Sequence, residues 1–213
     1  MMPVNASQDV RQAEFEEMFA KNDDPWGFRT RWYELRKRDL TLACLPQARF
    51  RHAYEPGCAN GELAAALATR CDYLLATDGA PGAVKLAKER LLPFAQVDVR
   101  QAWLPQDWPR GPVHDPDAGF DLIVFSELGF YLDTAQLAAL VAAMKASLAR
   151  GGTLLACHWR HPVDGYALDG NAVHRILAGE LDMPHLLGHQ EADFLLDIWS
   201  PDARSVAQRE GFV

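Results

Sequence analysis

The stretch HAYEPGCANGEL, residues 52–63, places the acid Glu55 just ahead of Gly57 and Gly61, between an apolar run and a helix-forming run. Strand, glycine loop and helix in that order bring backbone N–H groups and a helix N-terminus up against a nucleotide-like ligand. A side chain at the glycines would hold that ligand away. Asp78 closes the next apolar run, 21 positions after Gly57, where a carboxylate accepts hydrogen bonds from both hydroxyls of a ribose. The loop suits a dinucleotide poorly, because Ala59 stands at the middle glycine position and Glu55 would repel a pyrophosphate. A ligand with a ribose, an adenine and a cationic end but no phosphate fits these charges, and S-adenosylmethionine has that description.

Composition narrows the partners. The 213 residues carry a formal net charge of -8, with 49% hydrophobic and 23% charged residues, the bulk character of a globular chain of one domain. An acidic total argues against a nucleic-acid backbone as partner. The one basic cluster, RTRWYELRKR (29–38), reads as the solvated face of an amphipathic helix. Cys44, Cys58, Cys71 and Cys157 show no CxxC spacing and read as reduced thiols. No apolar run has membrane-spanning length and the N-terminus shows no leader pattern, so a cytoplasmic protein without a membrane partner is expected.

The elements that must position the loop follow from periodicity. Phe15, Met18 and Phe19 mark a helix over 12–20, and Trp32, Leu35, Leu42 and Leu45 another over 28–45. Between them KNDDPWGF (21–28) has turn chemistry around Trp26. Strands are expected at 52–56, 72–78, 93–99, 120–127 and 153–159, and helices at 61–70, 81–91 and 134–149, the last stopped by Gly151-Gly152. The proline-rich segment 101–120 reads as a loop with one short helical turn. After a short helix near 171–180, residues 185–200 read as an antiparallel hairpin turning near Glu191-Ala192-Asp193. The alternation predicts an α/β fold, a Rossmann-like doubly wound and mostly parallel sheet with that hairpin at its end. One domain over 1–213 is expected: a helical cap (1–48), a cofactor-binding core (49–160) and a substrate-side region (161–213).

YEPGCANGEL resembles the first motif of class I S-adenosylmethionine-dependent methyltransferases, with Glu55, Gly57, Ala59 and Gly61 on its acidic and glycine positions. Later segments match in order over roughly 50–160: Asp78 in ATDGAPGAV for the ribose, Asp98-Val99 in VDVRQ for the adenine, FDLIVFSELGFYL for the fourth strand and LARGGTLLACHW for the fifth. The resemblance implies that Cys58, Asn60, Gly79, Ser126 and Glu127 also border the cofactor. FAKNDDPWGFRTRWYELRKRDLTL, FSELGFYL and HWRHPVDGYALDG further resemble the family of the nodulation methyltransferase NodS, which methylates the free amine of a deacetylated chitin oligosaccharide. That likeness implies a small-molecule substrate, an amine of the amino-sugar kind. A small-molecule O-methyltransferase and a non-catalytic S-adenosylmethionine-binding regulator stay open beside it.

Methyl transfer from a sulfonium is an in-line displacement, so placement of a lone pair does most of the work. An amine must be neutral to attack, which calls for a proton acceptor. Glu127, past the fourth strand, is a candidate for that duty or for cofactor contact. His158 and His161 in HWRH are candidates for base or hydroxyl recognition, or for structural hydrogen bonding; no acidic cluster suggests a metal, and none is expected. Trp26, Tyr33, Phe130 and Tyr131 are candidates for the pocket wall, Tyr131 on the substrate side, where aromatic faces favour a sulfonium by about 0.5–2 kcal/mol. Arg29, Arg36 and Arg38 rank low as partners of the cofactor carboxylate. Trp103, Trp108 and Trp159 rim the same crevice and suit sugar stacking or core packing alike.

Overall fold

A computed structural model describes residues 8–112, 115 and 118–213. Helices α1 (Gln8–Lys21) and α2 (Trp32–Cys44) precede β1 (Phe50–Pro56), α3 (Glu62–Ala68), β2 (Cys71–Asp78), α4 (Pro81–Leu91), β3 (Val97–Gln101) and β4 (Phe120–Ser126). A 3-10 turn, Gly129–Tyr131, leads into α5 (Thr134–Ser147), β5 (Leu148–Trp159), α6 (Gly170–Glu180), β6 (His185–Gln190), β7 (Phe194–Trp199) and α7 (Val206–Arg209). The seven strands lie in the order β3-β2-β1-β4-β5-β7-β6. The first five run parallel, and β7 pairs antiparallel with both β5 and β6, which is the expected fold class with its terminal hairpin.

Strand order reverses between β1 and β4, and the crevice outside the carboxyl ends of those strands is where open α/β sheets take ligands. Both faces of the sheet are covered. On β4, Leu122 and Val124 join the layer containing α3 and α4, whereas Ile123 and Phe125 join the layer containing α5 and α6. That is the period-two alternation of a strand buried on both sides. Phe19 of α1 packs with Ala80 and Ala83, so the N-terminal helix rests on the loop and helix that follow β2.

Four boundaries depart from the sequence expectation. Helix α2 begins at Trp32, because the Asp24 carboxylate accepts the N–H groups of Phe28 and Arg29 at 2.8 and 3.0 Å and holds 24–29 in a turn. Its buried residues are Lys37 and Thr41, while Trp32 is 72% exposed; the stripe through Trp32 is not the packed face. Strand β3 spans 97–101 in place of 93–99, since Pro93 has no N–H for a ladder and Phe94 and Val97 donate into turns. Helix α5 ends at Ser147 and β5 starts at Leu148. Gly151-Gly152 therefore lies within β5, at the register shift between Phe120 and Leu122 of its partner, and marks a bulge and no helix stop. In the 101–120 loop, a turn runs over 104–107, and positions 113, 114, 116 and 117 lie outside the described residues.

Candidate active site

A cavity of about 710 Å³ opens at the carboxyl ends of β1, β2 and β4, roofed by α1 and by the turn before α2. From the sheet it receives Gly57, Ala59, Asp78, Gly79 and Glu127. Gly57 has φ +73, and a Cβ there would stand 3.3 Å from Leu128, so the backbone leaves β1 by a path suited to glycine. Ala59 takes φ +48, a left-handed conformation costly for a residue with a Cβ, and it is held there by its N–H, which donates to Asp78 Oδ2 at 2.9 Å. Asp78 Oδ1 accepts the N–H of Ala80 at 2.9 Å. Burial pushes the Asp78 carboxyl up to about 6, against the backbone donors that favour its ionised form. The glycine loop and the end of β2 are thus one hydrogen-bonded unit.

Behind the loop lies a smaller recess of about 60 Å³ that takes Glu55, Cys58, Asn60 and Ser126. These four were expected beside the cofactor and stand one layer behind the main wall. Burial, and then the charge on Asp78, raises the Glu55 carboxyl well above the usual range, and its Oε2 has no hydrogen-bond partner among the described residues. Asn60 donates to Asp23 O and to Asp24 Oδ1 at 3.2 and 3.0 Å, which fastens the loop to the turn carrying Trp26. Gly61, at φ +82, borders neither space; a Cβ there would approach Ala87 Cα at 3.1 Å, so it allows α3 to pack on α4.

Lys37 is the polar centre that sequence reasoning missed. It is 7% exposed, with Nζ 2.6 Å from Glu127 Oε1, 3.0 Å from Glu34 Oε2 and 4.9 Å from the centre of the Tyr33 ring. Burial opposes its charge, but Glu127 and Glu34 outweigh burial and raise its pKa. Burial raises the Glu34 carboxyl despite Lys37. Glu127 sits at φ +53, a position where strain of about 1–3 kcal/mol is typical of functional sites. Its N–H donates to Cys157 O and its Oε2 accepts the N–H of Trp159, both at 2.9 Å. Glu127 is therefore engaged by two different donors, whereas both Glu34 oxygens meet the same donor, Lys37 Nζ, Oε1 at 3.3 Å and Oε2 at 3.0 Å, with no other hydrogen-bond partner among the described residues. The i,i+3 pair Glu34/Lys37 was the available signal, hidden in a cluster that reads as solvated.

Trp26, Tyr33, Trp103, Phe130, Tyr131 and Trp159 all reach the cavity. Trp108 does not line it; its ring packs 4.9 Å from Tyr54 and its Nε1 donates to Ser147 Oγ. Asp98 and Val99 also fall short, because β3 continues to Gln101 and presents Ala102, Trp103 and Leu104 at its end; Asp98 pairs with Arg100 at 2.7 Å. His158 is fully buried off the wall, and His161 is exposed and pairs with Asp193 at 2.8 Å. Neither lines the cavity, although Asp193 does. Arg29 pairs with Asp23, Arg36 with Glu191, and Arg38 donates to Phe28 O. Among the described residues the arginines on the wall are Arg11 and Arg31, and Arg11 donates to Tyr131 O at 2.7 Å. No group of three or more His, Cys, Asp or Glu converges for a metal, and no helix is long and apolar enough to cross a membrane, among the described residues.

The cavity fits an adenosine with a charged tail on three structural grounds. Its volume lies in the small-ligand range, a carboxylate stands at the end of β2, and a Cβ on Gly79 would meet the Trp103 indole at 2.6 Å, so Gly79 and Trp103 form one flat corner. Comparison with known proteins agrees. The family described as Nodulation protein S (NodS) matches residues 7–172. A crystallised Pseudomonas syringae protein assigned as a methyltransferase is 53% identical, with TM-score 0.69 over 80% of this chain and 99% of that chain. The N-methyltransferase NodS from Bradyrhizobium japonicum WM9, crystallised with S-adenosyl-L-homocysteine, is 26% identical, with TM-score 0.75 over 89% of this chain and 97% of that one. An O-methyltransferase family protein from Burkholderia thailandensis, 13% identical with TM-score 0.70 over 91% of this chain and 62% of that chain, shares the fold. No curated protein sequence gives a significant match.

Proposed function

Because the chain belongs to the NodS family and is an S-adenosylmethionine-dependent methyltransferase acting on a small molecule, we propose that its acceptor is an amine nitrogen, of the kind carried by an amino sugar or a deacetylated chitooligosaccharide. The observation that carries this reading is the pair of carboxylates on one lysine at the cavity wall, of which Glu34 keeps lone pairs free and a pKa raised by burial. Asp78 would hold the ribose, Gly79, Ala102 and Trp103 the adenine, and Gly57, Ala59 and Arg31 the amino-acid end. The cofactor supplies a methyl group activated on a sulfonium, which a lone pair displaces in line.

The chain's own residues do the rest. Lys37 keeps its proton and holds Glu127 at 2.6 Å, which fixes the end of β4 against α2. Glu34 accepts the proton that the amine must shed. Tyr33, Trp26 and Tyr131 exclude water and favour positive charge by about 0.5–2 kcal/mol. Trp159 offers a flat face to a sugar ring. Segment 8–31 acts as the lid, with 49–160 as the cofactor core and 161–213 as the substrate side of one cytoplasmic domain.

The test combines a binding and a turnover measurement. Calorimetric titration with S-adenosylhomocysteine should show micromolar binding, and turnover should follow with glucosamine or a chitosan oligomer but not with the N-acetylated counterparts. Equal turnover after N-acetylation would assign the reaction to oxygen. Glu34→Gln should lower kcat by about 10²- to 10⁴-fold with little change in S-adenosylhomocysteine affinity, the usual contribution of a general base; equal losses in both would make Glu34 a cofactor contact. Gly79→Val should reduce S-adenosylhomocysteine affinity by roughly tenfold, because the added group overlaps Trp103 and overpacking costs about 1–3 kcal/mol. Unchanged affinity in that variant would move the adenine elsewhere.

A further inference from the structure

We propose that His158, His174 and Asp197 form a one-way hydrogen-bond relay that positions the Gly129–Tyr131 turn on the cavity wall. The chain of contacts is continuous. Gly129 N–H donates to His158 Nε2 at 3.1 Å, His158 Nδ1 lies 3.1 Å from His174 Nε2, His174 Nδ1 lies 2.5 Å from Asp197 Oδ2, and Asp197 Oδ1 lies 2.7 Å from His185 Nε2. A backbone N–H donates and never accepts, so His158 Nε2 carries no proton. A neutral ring then holds its proton on Nδ1 and donates it to His174 Nε2, which leaves His174 with its proton on Nδ1, facing Asp197. One assignment of tautomers satisfies every contact, and it is dictated from the Gly129 end.

The turn at that end is clamped. A Cβ on Gly129 would stand 2.6 Å from Val173 and 3.1 Å from His158 Nε2, so the backbone is seated between α6 and the imidazole. Phe130 and Tyr131 follow directly and both line the cavity. His158 and His174 are buried, whereas the His185 side chain at the other end is 48% exposed. The relay therefore links β6, β7, α6 and β5 to the wall and meets solvent at His185 and, in part, at Asp197.

Direction leaves the relay no room for a second donor at His174 Nε2. Protonated His174 would present Nε2–H to His158 Nδ1–H, donor against donor. His158 would then lose that contact or shift its proton to Nε2 and lose Gly129. The groups facing these rings are His158 from β5, Asp197 from β7, His185 from β6 and, through its charge on His158, Lys37 from α2. From the turn, Tyr131 is a phenol that burial keeps neutral. Burial, then His174 and Lys37, lowers the His158 pKa well below the ordinary value, in keeping with a ring that stays neutral.

The inference is independent of the acceptor's identity. Nitrogen-15 spectra of the histidine rings in the full chain should show His158 as the Nδ1–H tautomer at pH 7.5; an Nε2–H form would overturn the relay. At pH 7.5, His174→Phe, which removes the acceptor of the His158 Nδ1 proton, should weaken S-adenosylhomocysteine binding by about tenfold, the scale of one buried hydrogen bond. The Gln amide oxygen can accept from His158, so His174→Gln should bind within about twofold of the wild type. Equal affinity in His174→Phe and the wild type would overturn the proposal. Should a variant not fold, the wild-type tautomer decides it.

Discussion

Asp78→Ala is expected to weaken S-adenosylhomocysteine binding by roughly a hundredfold or more, since two hydrogen bonds to a charged acceptor contribute about 1.5–3 kcal/mol each. Asp78 also receives Ala59 and Ala80 N–H groups, so the variant loosens the glycine loop that it ties to β2. The wild type adds a pH signature. Burial raises the Asp78 carboxyl from its ordinary value to about 6. A carboxyl raised in this way favours the folded state when protonated, and that contribution is lost as pH rises through about 6. Ribose hydroxyls prefer the ionised acceptor, so affinity should hold above pH 6 and fall by up to about tenfold per unit below it. The Asp78→Ala protein should lose this part of the slope. Unaltered affinity in the variant, by calorimetry at pH 7.5, would remove Asp78 from the ribose.

Lys37→Met should cost about 3–5 kcal/mol of stability, because it leaves Glu34 and Glu127 without the cation they share in a nearly dry site. For a chain of this size that is a fall in Tm on the order of 10 °C. The raised Lys37 pKa means that its stabilisation is fully present below its ordinary value and is lost only as pH rises through the higher folded one, so the wild type is unaffected near neutrality. In the variant, stability should recover as pH falls, since Glu34, already raised by burial, can take a proton and cease to be an unpaired charge. Thermal unfolding at pH 5 and pH 8 reads both effects. A shift of less than about 2 °C at pH 8 would mean that water, and not Lys37, solvates the two acids.

The glycine loop and Asp78 were legible because their chemistry depends on local conformation: Gly57 and Ala59 take left-handed backbone angles and Asp78 ends its strand. Asp98 and Val99 stand off the cavity wall because of a strand boundary, since β3 starts four residues later than periodicity suggests and the wall receives Ala102 and Trp103. His158 was singled out for its place at the end of the fifth strand, but side chains alternate along a strand. That alternation points His158 toward His174 of α6 and leaves Trp159 on the cavity wall.

The sequence by itself determined the alternating fold, the glycine loop with its spaced acid, and the family to which the chain belongs, because these reside in spacing along the chain. Only the tertiary structure decided that a lysine from a basic, apparently solvated helix face is buried between two acids, and that three histidines and an aspartate from four separate elements share one hydrogen-bond chain. The physical reason is that burial of charge and choice of tautomer depend on which partners arrive from distant segments, and no local pattern records that arrival.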